Sequence, residues 1–163
     1  MIHLTPKIKV ALENMNFIKK YENLSSMHND VRTPTKERLR YIDGEIVMET
    51  INKLGYKVEF EPNEKFFKVK EMNSNGYVFG CHIILENGMV DLVWIVREMN
   101  ILLLGLPLSE YSRLMIEPQY RIKKPIFGTY EDLDEILRIN FEMFEDFKKA
   151  LSELWGKKWM KSS

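Results

Sequence analysis

Apolar positions recur along this chain with a period of three to four residues at both ends and of two in the middle, so helices are expected to flank a sheet. Near the start, Thr5-Pro6 places a hydroxyl N-cap ahead of a proline at the first helical position, where the missing N–H costs nothing. Ile8, Leu12, Met15 and Ile18 or Lys19 follow at helical steps, which predicts a first helix from Pro6 to about Tyr21. Thr33-Pro34 repeats the signal. Leu39, Ile42, Ile46, Thr50 and Leu54 make a stripe behind it, predicting a second helix from Pro34 to Leu54 with Gly55 as the residue that closes it. Asn23 to Thr33, mostly polar, is expected to be a loop.

At Tyr56 the period becomes two. Tyr56, Val58 and Phe60 alternate with Lys57, Glu59 and Glu61, as in a strand with one wet face. A turn at Pro62-Asn63-Glu64, a second strand from Phe66 to Met72 and a turn at Asn73 to Gly76 follow, since Asn and Gly tolerate positive φ. Tyr77 to Leu85 continues the alternation. Asn87-Gly88 is the strongest hairpin signal in the chain, because a type I′ turn needs positive φ at both central residues. Met89 to Arg97 is apolar on both faces, which predicts a central strand covered on both sides. Ile101 to Gly105 makes a fifth strand, ended by Pro107, with a short helix over Leu108 to Met115. Ile116 to Gly128 carries two prolines and reads as an extended connector.

Thr129 then N-caps the clearest element, with Glu131 and Asp132 at the positive end of the helix dipole. Leu133, Ile136, Leu137, Phe141, Phe144, Phe147, Leu151, Leu154 and Trp155 form a broad apolar face running to Gly156. At about 1.5–3 kcal/mol per buried side chain, this face would contribute gross burial on the order of 20 kcal/mol. It is expected to cover the sheet. The fold class is therefore α+β, in a single domain over residues 1–163: two N-terminal helices, an antiparallel meander of four to five strands, and a long C-terminal amphipathic helix packed on the sheet.

Composition removes several functions. Lys plus Arg and Asp plus Glu are 24 each, so the basic excess of sequence-independent nucleic-acid binding is missing and no nucleic-acid partner is expected. Charge is nevertheless uneven. Tyr130 to Asp146 holds Glu131, Asp132, Asp134, Glu135, Glu142, Glu145 and Asp146 against Arg138, while Lys157, Lys158 and Lys161 crowd the end. Cys81 is the only cysteine, which argues against a disulfide scaffold and for a cytoplasmic site of action. The first ten residues lack the apolar core of a signal peptide, and Ile101 to Leu106 is too short to span a bilayer, so no membrane partner is expected.

Candidate chemistry is sparse. His3, His28 and His82 are far apart and no Cys-x-x-Cys or His-x-x-x-His pair occurs, so no metal is expected. Cys81 and His82 are adjacent in a strand and point to opposite faces, so they cannot act together as nucleophile and base. No nucleophile elbow, phosphate loop or dinucleotide fingerprint is present, and no cofactor is expected. Glu59 and Glu61 share a wet strand face, where carboxylates keep ordinary acidity and make poor acid catalysts. Lys57, Lys68 and Lys70 interleave with aromatics in a pattern that single-stranded nucleic acid can use, but Lys68 and Lys70 point away from Phe67 and neighbour the two glutamates. Trp155 and Trp159 flank Gly156 in a basic tail too short for an interfacial helix.

What remains is a surface. The expectation is a domain that is not an enzyme and works by binding another protein, with Glu131, Asp134, Glu135, Glu142, Glu145 and Asp146 as the partner-binding residues. The hairpin Gly80 to Asp91 with its Glu86-Asn87-Gly88 turn, the connector Lys124-Pro125-Ile126-Phe127, and Tyr130-Glu131-Asp132-Leu133 opening a helix with Phe141 and Phe144 together resemble the small cytoplasmic immunity proteins that bacteria make against their own secreted or contact-delivered toxins. The resemblance spans roughly the C-terminal half of the chain. It implies tight, non-catalytic neutralisation of one cognate toxin, frequently a nuclease, and assigns no individual residue. A monomer is expected, with a dimer as the alternative. The layout is also similar to small secretion-type chaperones that hold an extended client segment on apolar patches; a nucleic-acid binder or an enzyme built on dispersed residues is the third reading.

Overall fold

The computed structural model describes residues 3–154. Five antiparallel strands, β1 (Val58–Glu61), β2 (Phe66–Ser74), β3 (Tyr77–Glu86), β4 (Met89–Glu98) and β5 (Ile101–Leu104), pair in chain order as a meander. Helices α1 (Pro6–Asn14), α2 (Phe17–Met27) and α3 (Gly44–Lys53) precede the sheet, and α4 (Tyr111–Met115) and α5 (Tyr130–Ser152) follow it. The mixed α+β class, the meander and the long last helix are as the sequence pattern predicts.

Period two decides which face of the sheet is buried. Phe67 and Val69 of β2, Tyr77, Phe79, Cys81 and Ile83 of β3, and Val90, Leu92, Trp94 and Val96 of β4 all point inward. Phe144 and Phe147 of α5 pack on Phe79 and Trp94 from that side, and Phe17 of α2 and Tyr111 of α4 close around the Trp94 indole. Leu133, Ile136, Leu137, Phe141, Phe144, Phe147, Leu151 and Leu154 are all buried, as the apolar stripe predicts. Trp155 and the Trp159 tail lie outside the described residues.

Three local expectations differ from what is found. The helix expected from Pro6 to about Tyr21 is broken at Asn16, which adopts the left-handed conformation at φ 61° and ψ 45°. Asn tolerates that region better than most residues. The break turns the next stripe, Phe17, Tyr21 and Leu24, into the core, and α2 consequently runs through part of the expected loop to Met27. The helix expected from Pro34 is only a single 3-10 turn, Thr35–Glu37, and α3 starts at Gly44 behind Asp43, whose carboxylate accepts the Glu45 N–H at 2.9 Å. A tertiary bond overrides the helical pattern there: the Leu39 N–H donates to the Phe127 carbonyl at 3.1 Å and holds the segment extended. The third difference concerns β4. Its outward side is covered around Ile95, beside Gly80 and the Glu71–Arg97 pair, whereas Asp91, Val93 and Arg97 are half-exposed. Among the described residues the helices gather on one face, and the other face of the sheet stays largely open.

The connector is where sheet and helices are joined. Pro125, Ile126 and Phe127 are buried, and Phe127 donates to the Gly88 carbonyl at 2.9 Å while the Pro125 carbonyl accepts from Val90 at 2.9 Å. On its other side Ile126 donates to the His28 carbonyl at 2.8 Å. The chain is thus threaded between the β3–β4 hairpin and the loop after α2. The hairpin turn itself has Asn87 at φ 53° and Gly88 at φ 73°, the two positive values a type I′ turn requires. Immediately after the connector, Thr129 caps α5 by accepting the Asp132 N–H at 3.0 Å. No helix among the described residues is long and apolar enough to cross a membrane.

Candidate partner-binding surface

α5 presents its apolar stripe to the sheet, so its remaining positions are forced outward, and these are the acidic ones. Glu131, Asp134, Glu142, Glu145 and Asp146 are exposed, and Glu135 is partly so. Their electrostatic surroundings differ along the helix. Glu142 faces Arg138 one turn earlier at 3.3 Å, Glu145 meets Lys148 at 2.7 Å, and Asp146 accepts from Lys20 of α2 at 2.9 Å. Glu135 lies 2.7 Å from His28 Nε2, whose ring is buried, and 3.9 Å from Arg138. Glu131 and Asp134 have no ion-pair partner among the described residues. The six carboxylates therefore share one strip, but its C-terminal half is internally compensated and its N-terminal end is not.

Glu145 has a second task. It accepts a short hydrogen bond from the Tyr56 hydroxyl, and the Tyr56 ring stacks on Phe141 with centroids 4.1 Å apart. Burial, and then that bond to a carboxylate, push the phenol well above its ordinary acidity range. Glu145 thus ties the approach to β1 onto α5, and only part of its value is available to a partner. Exposed ion pairs such as these are worth about 0–1 kcal/mol each to stability, so their main consequence is for the field outside the helix.

The remaining sequence candidates fall elsewhere. Cys81 and His82 do point to opposite faces. Cys81 is fully buried against α5, where the Asn140 amide approaches its sulfur at 3.8 Å, and burial pushes the thiol up to about 12. Since that lies above its ordinary value of 9.0, ionisation favours the unfolded chain, and the stability the neutral thiol contributes is lost as pH rises past that value. A maleimide reagent at neutral pH should therefore label Cys81 only on unfolding. Labelling of the native protein faster than its global opening, measured by mass spectrometry, would overturn this. His82 packs its ring against Phe66 in a tilted contact, centroids 4.4 Å apart, on the outer face; burial, followed by the charge of Lys68, holds its pKa below the ordinary histidine value.

Lys57, Lys68 and Lys70 line one shallow groove of about 460 Å³ at the β1–β2 edge together with Glu59 and Glu71. Lys68 sits directly opposite Glu59 in the β1–β2 register. The mixture of signs leaves the groove without the uniform positive potential a phosphate backbone needs. Among the described residues, no three His, Cys, Asp or Glu side chains are grouped so as to hold a metal ion.

One buried polar residue escapes a reading by composition. Asn140 lies in the middle of the apolar stripe, where its carbonyl oxygen accepts the Trp94 indole N–H at 3.0 Å. The signal in the sequence is its spacing: it stands four residues from both Ile136 and Phe144, so it belongs on the buried side despite its polarity. No family model matches the chain, and neither a curated protein nor a solved structure gives a match.

Proposed function

We propose that this chain is a non-catalytic protein-binding domain, an immunity protein that neutralises a basic cognate toxin through the outer side of α5. The observation that carries the reading is the excess of accessible negative charge on that one helix: among the described residues, Glu131, Asp134, Glu135, Glu142, Glu145 and Asp146 are met there by Arg138, Lys148, Lys20 and the buried His28 ring. A strip of one sign steers an oppositely charged partner and accelerates capture. Nucleases suit it, because the surface that holds a phosphate backbone is basic. The engagement of Cys81, His28 and Asn140 in packing and internal hydrogen bonds supports a role exercised by surface contact.

Within the strip, Glu131 and Asp134 have no ion pair among the described residues, so their charge is the most available to a partner. The gene beside this one is expected to encode a toxin whose lethality co-expression of this chain abolishes, with a 1:1 complex recovered on purification. Glu131→Lys together with Asp134→Lys should weaken that complex about tenfold or more, mainly through the association rate, and lower the melting temperature by only a few degrees, since Glu131 stands in the first turn of α5 where a positive charge opposes the helix dipole. Glu142→Lys should act in the same direction; Glu145→Lys is a poorer probe because it also releases Tyr56. A neighbouring product without toxicity, or full toxicity in the presence of this chain, would sink the immunity reading. Unchanged affinity in the charge reversals would sink the acidic surface.

A further inference from the structure

Three of the five most exposed large hydrophobic side chains among the described residues fall within four consecutive positions: Met99 is 87% exposed, Ile101 63% and Leu102 58%. They belong to β5 and the turn leading into it. β5 hydrogen-bonds to β4 along one side, and it is the last strand of the sheet, so its other side is a free edge among the described residues. Met99 to Ser109 contains no charged side chain. At the opposite edge, β1 and the residue before it interleave Lys57, Glu59 and Glu61 with apolar positions, and Pro62 follows. Charges and proline are the means by which an edge strand refuses another strand. One edge of this sheet is guarded in that way and the other is not.

We infer that β5 is the seam of a homodimer, in which two copies pair their β5 strands antiparallel and continue the five-stranded sheet across a twofold axis. Electrostatics selects a second copy as the occupant. A twofold axis brings a strand against itself, so a charge of one sign on the seam would meet its own kind; Ile101–Leu104 carries none. A charged partner finds nothing here to read, whereas the strip on α5 offers it a field. Leu102 lies opposite Arg97 on the outer face of the sheet, so pairing also covers apolar surface there that the described residues leave exposed. Assembly stops at two. Each copy has one edge without charges, and pairing the two β5 strands uses both of them. The dimer is independent of the toxin-binding reading and leaves the outer side of α5 free.

Sedimentation equilibrium on the full chain, from micromolar to hundreds of micromolar, should show a dimer. Leu102→Lys and Ile101→Lys place a like charge on both sides of the seam at exposed positions, so each variant should melt as a folded protein yet sediment as a monomer throughout that range. Glu59→Lys on β1 should leave the dimer intact. In the parent, amide hydrogen exchange at residues 101–104 should slow as concentration rises. A parent that stays monomeric, a dimer that persists in both lysine variants, loss of the dimer in Glu59→Lys, or β5 amides whose exchange ignores concentration would each overturn the assignment.

Discussion

Trp94→Ala is expected to remove about 3–5 kcal/mol of stability, against a total of about 5–15 kcal/mol for a domain of this kind. The indole is fully buried at the point where four elements meet. Phe147 stacks on it with centroids 5.2 Å apart, Phe144 lies at 5.6 Å, Phe17 presents an edge at 5.8 Å and Tyr111 at 6.1 Å. Because these rings come from α2, α4 and α5, none can collapse into the vacancy without shifting the others' helices, which is the condition under which a cavity costs most. The indole N–H bond to Asn140 adds a polar component that Trp94→Phe isolates: the phenyl ring restores most of the volume but leaves the buried Asn140 oxygen without its donor, a loss of about 1–3 kcal/mol. Asn140→Ala should cost a similar amount from the other side of the bond. Urea unfolding followed by circular dichroism orders the three variants, and a Trp94→Ala loss below about 1 kcal/mol would mean that the helices do not depend on this ring as a common support.

The C-terminal helix was the most legible element, because its cap, its first-turn acids and its stripe all act within the helix itself. Thr129, Asp132 and the buried positions from Leu133 to Leu154 are local statements, and the structure adds only what they pack against. The N-terminal third was less legible for the opposite reason. Asn16 breaks a stripe that could have continued, and it does so because the core needs Phe17, Tyr21 and Leu24 on the side facing Trp94. The segment before α3 has a helical apolar pattern and is nevertheless extended, since its backbone bonds to Phe127 across almost ninety positions of chain. A weak helical preference yields there to a connector that would otherwise bury unsatisfied backbone groups.

The acidic strip followed from the same periodicity as the core, since whatever is not on the buried side of a helix must face out. Its internal structure was not readable. Lys20 reaches Asp146 from α2 and Tyr56 reaches Glu145 from the approach to β1, and neither pairing has a local signature in sequence. Those contacts separate Glu131 and Asp134 from the rest of the strip. The β5 edge was visible as an apolar run, but a run of that length reads equally well as a buried strand; only its place at the margin of the meander exposes Ile101 and Leu102.

The junction at Gly128 permits a second large effect from the smallest possible change. A methyl group there would lie 2.7 Å from the Glu37 carbonyl oxygen and 2.9 Å from Thr33 Cγ2. The first neighbour is backbone and the second belongs to a buried side chain, so neither can swing aside. The loop after α2 must move, and with it the bonds that position the connector: Ile126 to the His28 carbonyl, Leu39 to the Phe127 carbonyl, and the Arg32–Asp132 pair at 2.8 Å. Gly128 also donates its own N–H to Asp132 at 3.1 Å, so displacement loosens the first turn of α5 where Glu131 and Asp134 stand. Gly128→Ala should therefore cost about 2–3 kcal/mol, at the upper end for overpacking by one methyl group. Gly44→Ala supplies the control: its added methyl meets only the Phe67 ring at 3.8 Å, an ordinary contact, and the position opens α3, where alanine is tolerated, so that variant should be as stable as the parent or more so. If both substitutions prove equally mild in urea unfolding, the connector is not clamped between the hairpin and the α2 loop in the way the close contacts at Gly128 require.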